Sequence, residues 1–205
     1  MPKRAEELAS EIVRLQIELD REIHKRRKAL GWRIKENLVE FEDEVLEAHR
    51  RLRTGLAGFL ARSSVRNILT APVIYSLVIP FAIIDAWASL YQAICFRAYR
   101  ITRVQRSRYL VFDRQQLAYL NGIQAINCAF CSYANGVIAY VREIGGRTEQ
   151  YWCPIKHALK ITDPHQRYYQ FLEYGDAEGY QARVQQFRER LREDDAARAA
   201  AEAPP

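Results

Sequence analysis

The chain has 205 residues, 49% hydrophobic and 27% charged, with a formal net charge of +6. That length suits one or two domains, and the balance excludes wholesale disorder. The positive excess is local: residues 97–119 hold six arginines against one aspartate, while residues 1–67 hold 15 Lys/Arg against 12 Asp/Glu, so a uniform nucleic-acid footprint is not expected.

Residues 1–28 are charged and lack the apolar core of a secretory leader. The cysteines are therefore expected in a reducing compartment, which favours metal ligation over disulfides. From Ala5 to about Leu60 there is no proline, and Leu8, Ile12, Leu15, Leu19, Ile23, Leu30, Ile34, Leu38, Phe41, Val45 and Leu52 recur mostly at steps of three or four. The spacing predicts one long helix, or a helical hairpin bending near Gly31, with an apolar stripe. Such a stripe needs a partner, so residues 1–67 are expected to form a coiled-coil arm binding a second copy or another protein. Register weakens around Lys25 to Lys28. His24 and His49 have no ligand-spaced partner and are expected to face solvent.

Residues 68–96 read ILTAPVIYSLVIPFAIIDAWASLYQAICF, with Asp85 as the sole charge. The run is long enough to cross a bilayer core. Tyr75, Trp87 and Tyr91 suit interfacial anchors, and arginines flank both ends. Pro80 is expected to kink the segment, and Asp85 requires a partner or water. A single span and a re-entrant hairpin turning at Pro80–Asp85 both satisfy these constraints. The hairpin returns the chain to its starting side, which places the N- and C-terminal parts together on the cytoplasmic face. Cys95, inside the run, reads as a buried thiol.

Arg97, Arg100, Arg103, Arg106 and Arg108 follow within residues 97–112. On a helix they share one broad face, with Tyr99, Ile101 and Val104 between them. Next to an apolar run, such a face suits anionic lipid headgroups. No helix-turn-helix or RNA-binding signature supports nucleic acid.

Residues 113–193 carry Cys128, Cys131, Cys153 and His157, spaced C-x2-C-x21-C-x3-H. Three thiolates and an imidazole suit a closed tetrahedral zinc site, with iron as the alternative. The expected frame is a helix capped by Asp113, a knuckle at Cys128–Cys131, and a second helix to Gly145–Gly146 that brings back Cys153 and His157. Pro154 would restrain the ligand turn, and Lys156 is expected in solvent. A further helix is expected after Asp163–Pro164 with an aromatic face, then a charged one from about Glu178 to Glu193. The tail 194–205 is expected to fray.

The expected fold is thus mainly α: a long N-terminal arm, an apolar membrane segment and a helical module fastened by a Cys3His site. The function that follows is a membrane-associated, non-catalytic zinc-binding scaffold. The competing function is a thiol or metal redox enzyme using Cys128, Cys131 and Cys153. Phosphate loops and G-x-S-x-G elbows are absent from the sequence.

Overall fold

The computed structural model describes residues 3–28, 32–35, 38–41 and 43–201. The chain is mainly helical. Its contacts divide it into two compact units. Unit 1 combines residues up to Leu69 with Phe112–Ala129, and unit 2 combines Thr70–Val111 with Phe130 onward.

In unit 1, helix α1 spans Lys3–Lys28. The arm is not helical throughout. Strands β1 (Trp32–Lys35) and β2 (Leu38–Phe41) pair antiparallel, with Trp32 opposite Phe41 and Lys35 opposite Leu38. Alternating Trp32-Arg33-Ile34-Lys35 has the two-residue period that favours a strand, and only Glu36 and Asn37 separate the strands. The expected bend at Gly31 lies outside the described residues. Helices α2 (Asp43–Arg51) and α3 (Leu56–Arg62) follow. His49 is half-buried rather than solvent-facing, its ring edge-on to Tyr119 at 5.2 Å.

One helix of 35 residues, Val65–Tyr99, is long and apolar enough to cross a membrane, and its most apolar stretch has no buried residue. It comprises α4 (Val65–Ser76), α5 (Val78–Tyr91), a π-helical turn (Gln92–Phe96) and α6 (Arg97–Tyr99). The irregularity falls at Leu77, whose N–H bonds Ile74 O at 3.2 Å. Pro80 has no N–H for the Ser76 carbonyl, four residues back, and its ring crowds that carbonyl. This perturbs one turn without reversing the chain. The re-entrant hairpin at Pro80–Asp85 is therefore not formed.

The helix stops in a Schellman arrangement. Arg100 takes the left-handed position (φ 57°), Ile101 N–H bonds Phe96 O at 2.8 Å, and Arg100 N–H bonds Arg97 O at 3.4 Å. The following segment is a loop with a single 3-10 turn, Arg106–Arg108. The expected arginine helix over 97–112 is thus corrected to three helical residues and a loop.

Helix α7 runs unbroken from Gly122 to Trp152. It starts in a capping box: Gln124 N–H donates to Asn121 Oδ1, and Asn121 N–H donates to Gln124 Oε1, both at 3.0 Å. Asp113 instead precedes a 3-10 turn, Arg114–Gln116. No proline falls between Gly122 and Cys153, and Pro154 ends the helix. Gly136 lets α7 approach the loop, since a Cβ there would lie 2.7 Å from Tyr109 O. A 3-10 turn, Gln166–Gln170, replaces the helix expected after Pro164. Helix α8 spans Ala177–Ala201, with Asp176 Oδ1 accepting from Gly179 N–H at 2.8 Å. The backbone of 194–201 is therefore helical, and residues 202–205 lie outside the described residues.

Among the described residues, the buried apolar side chains all belong to unit 2. One cluster joins Phe96, Ile101, Val104, Leu110, Val137, Tyr140, Ile144 and Leu191. A second joins Tyr168, Phe171, Leu172 and Phe187.

Candidate functional site

The long helix has two unlike faces within unit 2. The inner face carries half-buried Tyr75, edge-on to Phe130 at 5.7 Å, then Phe81, Asp85, Ser89, Gln92 and Phe96. The outer face carries Val73, Ile83, Trp87, Leu90 and Ile94, of which Val73 is 70% and Trp87 71% exposed. Steps of three and four from Phe81 to Phe96 and from Ile83 to Ile94 keep each of these sets on its own side of the helix.

The inner face is polar where the sequence is most apolar, and each polar group has a partner. Asp85 is 7% exposed. Arg106 grips it bidentately, Nε to Oδ1 at 2.9 Å and Nη2 to Oδ2 at 2.6 Å, and Tyr133 Oη donates to Oδ2 at 3.2 Å. That hydrogen bond to Asp85 raises the Arg106 pKa. Burial, then the Asp85 charge, raises that of the Tyr133 hydroxyl. Two turns further, the Gln92 amide meets the Val104 backbone in both senses. Val104 N–H donates to Oε1 at 2.9 Å, and Nε2 donates to Val104 O at 3.3 Å and also to Tyr140 Oη. Ser89 and Tyr140 share a hydrogen bond of 3.2 Å. The π-helical turn buries both Gln92 and Phe96, so the loop is stapled by an amide and an aromatic ring together.

A second polar cluster lies at the far end of α7. Glu143 accepts from Arg147 Nε at 2.9 Å and from Arg167 Nη2 at 3.1 Å. Arg147 also reaches Thr102 O at 2.6 Å, and Arg167 reaches Gln150 at 3.0 Å. Burial alone would raise the Glu143 pKa. The Arg167 charge and the Arg147 hydrogen bond outweigh it and hold the carboxyl below its ordinary range. His165 Nε2 lies 2.8 Å from Glu149 Oε2, its ring against Gly146.

The four expected metal ligands do not gather. Cys128 is half-buried and Cys131 exposed one turn later on α7, while Cys153 is exposed just past the helix end. The helix from Cys131 to Trp152 holds Cys131 and Cys153 about 30 Å apart, at roughly 1.5 Å per residue. The His157 ring stacks on Tyr168 at 6.1 Å, and the His157 backbone N–H donates to Tyr168 Oη at 2.8 Å. Among the described residues no group of three or more His, Cys, Asp or Glu is placed to hold a metal ion. The expected Cys3His centre is not seen among the described residues, and the segment expected as a knuckle is an uninterrupted helix. Lys156 is not free in solvent, pairing with Glu173 at 2.6 Å.

No family model matches this chain, and no curated protein or solved structure is similar to it. Function therefore rests on the geometry alone. Among the five arginines assigned to headgroups, Arg106 is committed to Asp85. Arg97, Arg100, Arg103 and Arg108 are exposed around the buried anchors Ile101 and Val104. Gln92, Tyr133 and Tyr140 at the inner face, and Glu143 and Arg167 in the second cluster, were not legible as site residues. Only the i, i+4 pair Glu143 and Arg147 offered a local signal.

Proposed function

We propose that this chain is a membrane-associated, non-catalytic interaction module. Its Val65–Tyr99 helix is the membrane element, and α1 is the docking arm. The observation that carries this is the two-faced helix: its inner face is satisfied by protein, while Val73, Ile83, Trp87 and Ile94 stand exposed together. Water-facing apolar strips of this length are rare on soluble monomers and mark interaction surfaces. The exposed arginines beside it suit an anionic, cytoplasmic leaflet. In α1, Leu8, Ile12, Leu15 and Leu19 are likewise exposed, which supports a second copy or a partner helix there.

The deciding experiment is fractionation of the full chain. The protein is expected to sediment with membranes through a high-salt wash and to need detergent for release. Recovery of monodisperse protein from the soluble fraction without detergent overturns membrane association.

A further inference from the structure

We propose that the long helix lies in the plane of one leaflet, on its apolar outer face, rather than crossing the bilayer. The occupant of that face is a bilayer leaflet rich in anionic lipid. This rests on the membrane association proposed above and specifies its geometry.

The inner face excludes a crossing. From Asp85 to Phe96 it is covered by the loop after Arg100, pinned through Arg106 to Asp85 and through Val104 to Gln92. That loop is irregular backbone and carries exposed Arg103 and Arg108. A helix crossing at this level would carry the loop into hydrocarbon alongside it. Irregular backbone facing lipid does not occur there, and exposed guanidinium groups are strongly disfavoured. Laid flat, the same helix keeps the loop and its charges at the headgroups and puts only side chains such as Ile83, Trp87 and Ile94 into the acyl boundary.

The outer face has the continuity this requires. Val73, Ile83, Trp87, Leu90 and Ile94 are all exposed, and they span about 32 Å at 1.5 Å per residue. Arg97, Arg100 and Arg103 sit at one end, exposed and next to the strip, and they select negative headgroups. Flat placement also explains arginine at both ends of the helix, Arg62 and Arg66 around its start and Arg97 and Arg100 around its end, without any turn at Pro80. Both ends then meet the same leaflet.

The test is a depth profile on the full chain bound to phosphatidylcholine–phosphatidylglycerol vesicles. Single cysteines replace Val73, Ile83 and Ile94, with the native cysteines changed to serine, and carry nitroxide labels read by oxygen and nickel-chelate collision. Equal depths, roughly 5–10 Å below the headgroups, are expected at all three. Ile83 lying far deeper than both Val73 and Ile94, the profile of a crossing, overturns the in-plane placement while leaving membrane association intact. Labels shielded from both oxygen and nickel overturn it in favour of a second copy on this face. Failure to bind vesicles overturns both proposals. Quenching of Trp87 by brominated lipids, with Trp32→Phe and Trp152→Phe and all cysteines kept, gives the same depth independently. Replacing Arg97, Arg100 and Arg103 by glutamine should weaken binding to these vesicles by roughly a hundredfold. An equal loss on pure phosphatidylcholine would overturn the headgroup role.

Discussion

Unit 2 and unit 1 handle their apolar residues in opposite ways. Unit 2 buries Phe96, Val137, Tyr140 and Leu191 among helix, loop and helix, and it completes the polar groups it encloses. In unit 1 no described apolar side chain is buried, and Leu8, Ile12, Leu15, Leu52 and Leu60 stand exposed. Both units have helices with regular apolar spacing. Periodicity thus marks a face that needs covering, and it does not say whether the cover comes from the same chain. In unit 2 the loop and α7 supply it. For the outer face of the long helix and for α1, no described part of the chain supplies it, and the cover proposed above is a lipid leaflet and a partner helix.

The contrast is most open to attack at Phe96, which is fully buried where the π-helical turn meets the core. Phe96→Ala should destabilise unit 2 by about 3–5 kcal/mol, the usual cost of a large aromatic cavity. Thermal melts followed by tyrosine-region circular dichroism in mild detergent would register it. A change under 1 kcal/mol would mean that the core does not form as described.

A smaller effect is expected from Arg106→Leu. It strands the Asp85 carboxylate, but Arg106 is half in solvent. The expected loss is roughly 2–3 kcal/mol, discounted from the value for a wholly buried pair. The double variant with Asp85→Asn should recover most of it, since the stranded charge is then gone. A headgroup role for Arg106 predicts the reverse, weaker vesicle binding with an unchanged melt.

Acid should loosen unit 2 through Glu143. Its carboxyl is held below the ordinary range in the native state, Arg167 and Arg147 outweighing burial. The stabilisation is therefore complete above the unfolded value of roughly 4.3 and is lost as pH falls through the lowered native value. Glu143→Gln should remove that part of the acid dependence and lower stability at pH 7. A melt-versus-pH curve with the same acid limb in both proteins would show that the cluster is not coupled to folding.

The smallest effects belong to exposed positions. Cys131→Ser is expected within about 0.5 kcal/mol of the parent, as is usual for surface changes. Elemental analysis of purified protein should find no stoichiometric zinc or iron lost with it. Unfolding with metal release would restore the Cys3His centre and break the description of α7. Leu15→Ser should be equally mild for the isolated chain while abolishing any partner bound through α1.

The sequence alone determined that the chain is mainly helical, that one run is apolar enough to enter a membrane, and that Asp85 within it needs a partner. Those are local properties, set by spacing, composition and the cost of a lone charge in an apolar run. It also put a charged helix at about Glu178 to Glu193, inside what the structure extends to Ala177–Ala201. Tertiary structure decided the rest. The same five arginines fit a lipid-facing helix or a loop, and only packing of Ile101 and Val104 chose the loop and gave Arg106 to Asp85. The C-x2-C spacing fits a metal knuckle or one turn of helix equally well. Asn121–Gln124 capping at one end and the space for Gly136 beside Tyr109 selected the helix, and its length then separated the cysteines. Spacing fixes which residues share a face, but the identity of what meets that face depends on contacts between segments far apart in the chain.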